Sequence, residues 1–406
     1  MTEEGIAEAH QREFDRGDAR RNRPDPQRVA RERDSLLAAA AADLGIDPPP
    51  SLADFPWTAP ADDQHCLGAC RIAFVDVPSD APCATPSHAA GADALARRPL
   101  VVAYPASWAM QLGRHPDALF EGQPIDYFAF APTYLRITAR NMRSLFGEGP
   151  DAPPVVALAA PSVPESERKL SEYAYAELDG FCHPMLRPAT AALFRPCFLD
   201  AHGAVLPRPE IERRFAGLVL AGYSYGCTLV LQQLADVRRE MEEAGIDDAT
   251  IAAAFGRLLC VFIGPNVDYE RLPEVAKIAV RSPLDAVITG HDELGLHSTV
   301  TCDRATENFS AAELAAIRRG ALEDVSAERQ PIWIGANAVQ FNFALPGVVR
   351  FDEEGRPLHP FRDGKHGHDI KAYIAAMHRN PFIAAAIRAA LQNDGSRAID
   401  LRAFFD

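Results

Sequence analysis

The sequence predicts an α/β protein: a mostly parallel central sheet flanked by helices, with an N-terminal helical and irregular extension and a lid-like insertion. Two observations carry that prediction. From Pro99 onward, short apolar runs rich in β-formers alternate with stretches of helical periodicity, the pattern of a parallel sheet with crossover helices. The runs are continuously apolar rather than alternating, which marks strands covered on both faces.

Residues 1–98 form the extension. Asp25-Pro26 suits the N-cap and N1 of a helix running to about Asp43, and Pro48-Pro49-Pro50 ends it. Acids and bases balance along this arm, so it reads as a solvated helix rather than a binding arm. Residues 47–98 are rich in Pro, Ala, Asp and Ser and predict few regular elements. The main domain spans 99–406. Its expected strands are Pro99–Tyr104, Ile125–Phe130, Val155–Ala159, Leu218–Ala221, Leu258–Ile263, Ala286–Thr289 and Ile332–Gly335. Helical periodicity covers 227–244, with Gly245 as a C-cap glycine, then 311–322 and 369–379. Residues 165–214 interrupt the alternation with an aromatic, Pro-containing stretch (Tyr173, Tyr175, Phe181, His183, Phe194, Phe198). Placed just before the central strand, this stretch predicts a lid or one wall of a pocket.

Composition narrows the function classes. The chain has 406 residues, 48% hydrophobic and 24% charged, with a formal net charge of −15. That is globular and acidic. It gains little from nucleic acid, whose affinity comes from Lys and Arg on phosphate, and suits an anionic membrane surface poorly. No apolar stretch reaches the ~18 residues of a membrane span, and the charged N-terminus offers no secretory h-region. The eight cysteines are too sparse for a disulfide scaffold. Together these features predict a soluble cytoplasmic protein. No nucleic-acid or membrane partner and no cofactor are expected, and the oligomeric state is left open. His65, Cys66, Cys70, Cys83 and His88 fit no common zinc spacing. No phosphate loop or dinucleotide fingerprint is present.

One stretch carries chemistry. An apolar strand from Phe215 to Ala221 runs into Gly222-Tyr223-Ser224-Tyr225-Gly226 and directly into an amphipathic helix. A serine on such a turn stands clear of the sheet. Glycines two residues either side remove Cβ atoms that would collide with strand and helix, and the helix N-terminus favours a developing oxyanion. A serine also needs a base, and the base an orienting acid. Asp285-Ala-Val-Ile-Thr-Gly-His-Asp292-Glu293 reads as a strand ending in a turn that presents Asp292. Asp268, after the strand ending at Ile263, and Glu293 are alternates. His366-Gly367-His368 precedes an amphipathic helix whose buried face is Ile370, Tyr373, Ile374 and Met377.

This G-x-S-x-G between strand and helix resembles the nucleophile elbow of the α/β-hydrolase superfamily. The patatin-like and malonyl-transferase-like folds share the motif, but their accompanying signatures are missing. The resemblance implies a triad in the chain order Ser, acid, His: Ser224, Asp292 and His368, with His366 the alternate base. It implies an oxyanion hole from the N–H of Tyr225 and of a loop after an early strand, where Tyr104-Pro105-Ala106-Ser107-Trp108 places Ala106. Trp108 and Tyr223 are the expected substrate-binding residues. The implied activity is hydrolysis of an ester, thioester or amide, as an esterase or thioesterase on a small-molecule or carrier-bound acyl substrate. An acyltransferase would use the same triad, and a hydrolase-like binding protein would have lost it. One departure stands out: the gap from Asp292 to His368 is long and contains Ile332–Gly335. If that run is the seventh strand, the acid position falls near Asn337.

Overall fold

A computed structural model describes residues 64–67, 70–74, 98–104, 119–120, 123–124, 141–147, 152–159, 187–224, 226–265, 272–283, 285, 308–318, 330–343 and 370–404. Among these, the strands are β1 (Gln64–Leu67), β2 (Cys70–Phe74), β3 (Leu100–Tyr104), β4 (Leu119–Phe120), β5 (Gln123–Pro124), β6 (Val155–Ala159), β7 (Leu218–Tyr223), β8 (Leu259–Ile263), β9 (Ala276–Arg281), β10 (Ile332–Trp333) and β11 (Ala338–Asn342). The helices are α1 (Arg187–Phe198), α2 (Arg208–Phe215), α3 (Gly226–Glu243), α4 (Asp248–Phe255), α5 (Ala311–Arg318), α6 (Ile370–His378) and α7 (Pro381–Leu391).

Nine strands form one sheet in the order β1-β2-β6-β3-β7-β8-β9-β11-β10. From β6 to β11 every neighbouring pair is parallel. The antiparallel members are the β1–β2 hairpin at one edge and β10 at the other. The protein is therefore α/β with a mostly parallel central sheet, as its apolar runs predict. The sheet begins earlier than expected, since β2 pairs with β6 inside the stretch read as an extension. The β1 and β2 runs are short and set among Pro- and Asp-rich sequence, so their pairing shows only in three dimensions.

Two apolar layers sandwich the sheet. On one face, Leu100, Val102, Leu220 and Cys260 pack against α1, α2, α3 and α4. On the other, Val101, Val219, Val261 and Val280 pack against α6 and α7. The alternation along each strand sends neighbouring side chains to opposite faces, and both faces are covered. Part of the expected lid belongs to this core. Phe194 and Phe198 of α1 and Phe215 of α2 are buried, with Phe194 and Phe215 ring centroids 6.2 Å apart. Residues 165–186 lie outside the described residues, as do the expected strands 125–130 and 286–289. Among the described residues, no helix is long and apolar enough to cross a membrane.

Candidate active site

β7 lies in the middle of the parallel strands, with β3 on one side and β8 on the other. Its last turn places Ser224 at the carboxyl edge of the sheet, where ligands of open α/β sheets bind. Ser224 has φ +53°, a conformation that costs a non-glycine residue on the order of 1–2 kcal/mol. The frame holds it there. Its N–H donates to Ile263 O at 2.8 Å, and its carbonyl accepts from Cys227 N at 3.0 Å. The residue is 7% exposed. Gly222 is required by close approach: a Cβ there would sit 2.7 Å from both the Cα and the N of Cys227 and 2.8 Å from the carbonyl carbon of Gly226. α3 begins at Gly226 and directs its N-terminal partial positive charge toward the serine.

Cys227 is no rival nucleophile. It is fully buried, its S–H approaches Ile263 O at 3.8 Å, and burial pushes its thiol far above the ordinary range. A second serine–histidine contact, Ser144 Oγ to His378 Nε2 at 3.1 Å, lies at an exposed position away from the elbow. Ser144 Oγ is also within hydrogen-bond distance of Asn141 O, at 2.9 Å.

The carboxyl edge carries buried polar groups on both sides of the elbow. Tyr104, which ends β3, donates to Gln233 of α3, whose amide donates to Thr190 of α1 at 3.2 Å. Arg281 ends β9, and Ser282 and Asp285 follow it, all three at most 1% exposed. The N–H of Asp285 donates to Ser282 O at 3.1 Å. Its carboxylate accepts from Tyr373 Oη of α6 at 2.7 Å. Burial, and then the Asp285 carboxylate, push the Tyr373 hydroxyl well above its usual range, while Arg281 acts the other way. Tyr373 is therefore a neutral donor at physiological pH.

The chain matches no protein-family model and no curated protein.

Ser224 stands on the turn between β7 and α3. Tyr223, expected to bind substrate, is 3% exposed and belongs to the core cluster with Val280, Tyr373 and Ile374. Its side chain is core rather than an open pocket wall. Tyr225, Ala106, Trp108, Asp268, Asp292, Glu293, His366 and His368 lie outside the described residues. The run at Ile332 is an antiparallel edge strand, β10. Asn337 is structural: its amide donates to Ile399 O at 2.8 Å, and its Oδ1 accepts from Leu401 N at 3.0 Å. Among the described residues no group of three or more His, Cys, Asp or Glu could hold a metal ion. Sequence reasoning passed over Asp285 and Tyr373 as a pair. The available signal was Tyr373 on a buried helix face, because a buried tyrosine hydroxyl needs a partner.

Proposed function

We propose that the protein is a cytoplasmic serine hydrolase of the α/β-hydrolase type, cleaving an ester, thioester or amide through an acyl-serine. The observation that carries this reading is Ser224 at φ +53° on the turn from the central parallel strand into a helix, at the carboxyl edge of the sheet. That turn is what a nucleophile elbow requires. Three buried free thiols, Cys197, Cys227 and Cys260, accord with a reducing compartment.

In this mechanism Ser224 Oγ attacks the acyl carbon while a histidine from the segment before α6, His368 first and His366 second, takes its proton. A carboxylate C-terminal to β9 orients the imidazole; Asp292 is the candidate read from sequence. The N–H of Tyr225 and an amide of the loop after β3, at Ala106, hold the oxyanion. Collapse expels the alcohol, thiol or amine, which leaves with the histidine's proton. Water then attacks the acyl carbon while the histidine takes its proton, and the histidine gives that proton to Ser224 Oγ as the acyl–oxygen bond breaks and the acid leaves. Trp108 is the candidate substrate contact.

Fluorophosphonate labelling tests the reading. Wild type takes up the probe on Ser224, and Ser224→Ala does not. His368→Ala slows labelling by at least about 10³-fold. A wild type inert to this probe and to a small sulfonyl fluoride would instead mean a hydrolase-like protein without a working triad.

A further inference from the structure

Among the apolar side chains that pack α1 and α3 against β3 and β7 lie three polar ones, Tyr104, Gln233 and Thr190, all at most 1% exposed. They form a relay. Tyr104 Oη donates to Gln233 Oε1, and Gln233 Nε2 donates to Thr190 Oγ1 at 3.2 Å. Packing does not require them. Phenylalanine, methionine and valine would fill nearly the same volumes, and replacing buried hydrogen-bonded partners together by apolar groups of the same shape is close to neutral. What the relay adds is direction. A hydrogen bond has a preferred length and angle, and a buried polar network fixes one arrangement of the elements that carry it.

Its place gives that direction a use. Tyr104 is the last residue of β3, and its Cα partner on β7 is Gly222, two residues before Ser224. Gln233 lies on α3, seven residues past the first residue Gly226 and about 10 Å along the axis. Thr190 belongs to α1. Gly222 already limits how close α3 comes to β7, since a Cβ there would lie 2.7 Å from Cys227 Cα. The relay limits how far α3 can withdraw or turn. α3 in turn holds the nucleophile, because Cys227 N donates to the Ser224 carbonyl at 3.0 Å. A displacement of α3 therefore reaches Ser224 through one hydrogen bond.

We propose that the Tyr104–Gln233–Thr190 relay positions Ser224 for attack by locking α3 to the end of β3. This rests on the serine-hydrolase reading and adds three positioning residues to it, all acting through α3.

The test compares Tyr104→Phe, Gln233→Met, the triple variant Tyr104→Phe/Gln233→Met/Thr190→Val, Asn380→Ala and Ser224→Ala with wild type. It measures turnover of p-nitrophenyl acetate, the rate of fluorophosphonate labelling, the urea midpoint, and hydrogen exchange of the Ser224 and Cys227 amides by NMR. Expected for Tyr104→Phe and for Gln233→Met is a kcat about tenfold lower with KM within about threefold. A shift of about 1 Å costs on the order of 10²-fold, and loosening a packed helix displaces it by less. Labelling should slow by the same factor, and the two amides should exchange about fivefold faster or more. The triple variant should regain the urea midpoint of wild type and keep the low kcat, which a role in packing alone would not produce. Asn380→Ala, a cap change on the other face of the sheet, should lower the urea midpoint and leave kcat and labelling unchanged.

If kcat returns with the urea midpoint in the triple variant, the relay is core packing and the proposal is overturned. Wild-type kcat, labelling and exchange in Tyr104→Phe overturn it as well, and with Ser224→Ala inactive the hydrolase reading survives. If Ser224→Ala turns over as fast as wild type, the hydrolase reading fails and amide exchange alone judges the relay: faster exchange at Ser224 and Cys227 in the triple variant supports it, and unchanged exchange overturns it. Should Tyr104→Phe fail to fold, Gln233→Met and the triple variant decide by the same readouts.

Discussion

Replacing Gly222 by alanine tests the elbow without touching the serine. The added Cβ would lie 2.7 Å from the Cα and N of Cys227 and 2.8 Å from the carbonyl carbon of Gly226. Comfortable carbon contacts are about 3.5–4.0 Å, so the first turn of α3 has to retreat by roughly 1 Å. All three obstructing atoms are backbone, and no flexible side chain can swing away. α3 is also anchored, with Cys227, Leu229, Val230, Leu231 and Leu234 all at most 1% exposed. Overpacking a well-filled core costs about 1–3 kcal/mol, occasionally more, and this case belongs at about 3 kcal/mol. Two other glycines separate the causes. Gly245 has φ +82° and nothing within 4 Å of where a Cβ would sit, so alanine there costs only the left-handed conformation, about 1 kcal/mol. Gly395 has φ +88° and a Cβ position 2.8 Å from Arg213 Cα, so alanine there carries both costs. Urea unfolding at constant m-value reads all three. Fluorophosphonate labelling reads the serine, since a shift of about 1 Å costs on the order of 10²-fold in rate. If Gly222→Ala unfolds within about 0.5 kcal/mol of wild type and labels normally, the close-approach argument is refuted.

Ser224→Gly should abolish probe labelling yet be at least as stable as wild type and about 1 kcal/mol more stable than Ser224→Ala, because glycine adopts φ +53° without penalty; denaturant midpoints of the three proteins check this. Alkylation of the native protein by iodoacetamide, mapped by mass spectrometry, should leave Cys197, Cys227 and Cys260 unmodified, since all are buried and burial raises each thiol, Cys260 to about 12. Asn380→Ala should cost about 1 kcal/mol in the same unfolding assay, because the Asn380 side chain caps α7 by accepting from Phe382 N and Ile383 N at 3.0 and 3.1 Å. Tyr373 holds its proton in the folded state beyond the ordinary tyrosine range. Its contribution to stability is intact below about pH 10 and falls above it by about 1.4 kcal/mol per pH unit, as the unfolded chain ionises first. Tyr373→Phe should therefore lose stability less steeply than wild type between pH 10 and 11.

The central part of the site was legible because its sequence signals agree. β7 is continuously apolar, the G-x-S-x-G follows it without a gap, and α3 keeps helical periodicity to the C-cap Gly245, which has φ +82°. β9 and β11 were not legible, and the reason is chemical. Lys277 and Arg281 alternate with apolar residues along β9, and Gln340 and Asn342 along β11. Such alternation reads as a strand with one wet face. Here the polar face is buried, and mostly local hydrogen bonds hold Lys277, Gln340 and Asn342. Lys277 Nζ donates to Leu272 O at 2.5 Å and to Val275 O at 3.3 Å. Gln340 donates to Asn342 Oδ1 at 2.7 Å, and Asn342 to Asn308 Oδ1 at 3.2 Å. α1 was hidden for another reason: Pro196 lies within it, and a proline inside a helix argues against one. It stands in the last turn, where the chain is ending its helix anyway.

Positive φ does not by itself mark a working residue. Among the described residues two non-glycines adopt it, Ser224 at +53° and Leu272 at +57°, and the two differ in what the conformation achieves. At Leu272 it aims the backbone carbonyl at Lys277 Nζ and at the N–H of Val275. The strain there is offset by satisfying a buried ammonium group, which is a structural role. At Ser224 the backbone groups are bonded as well, to Ile263 and Cys227, but a glycine would make both bonds without the torsional cost. The chain does use glycine at seven other described positive-φ positions. What serine adds at this one is the hydroxyl, held at the edge of the sheet between the N-terminus of α3 and the end of β8. Strain that brings no backbone advantage and delivers a hydroxyl to the carboxyl edge of a parallel sheet is what a nucleophile needs.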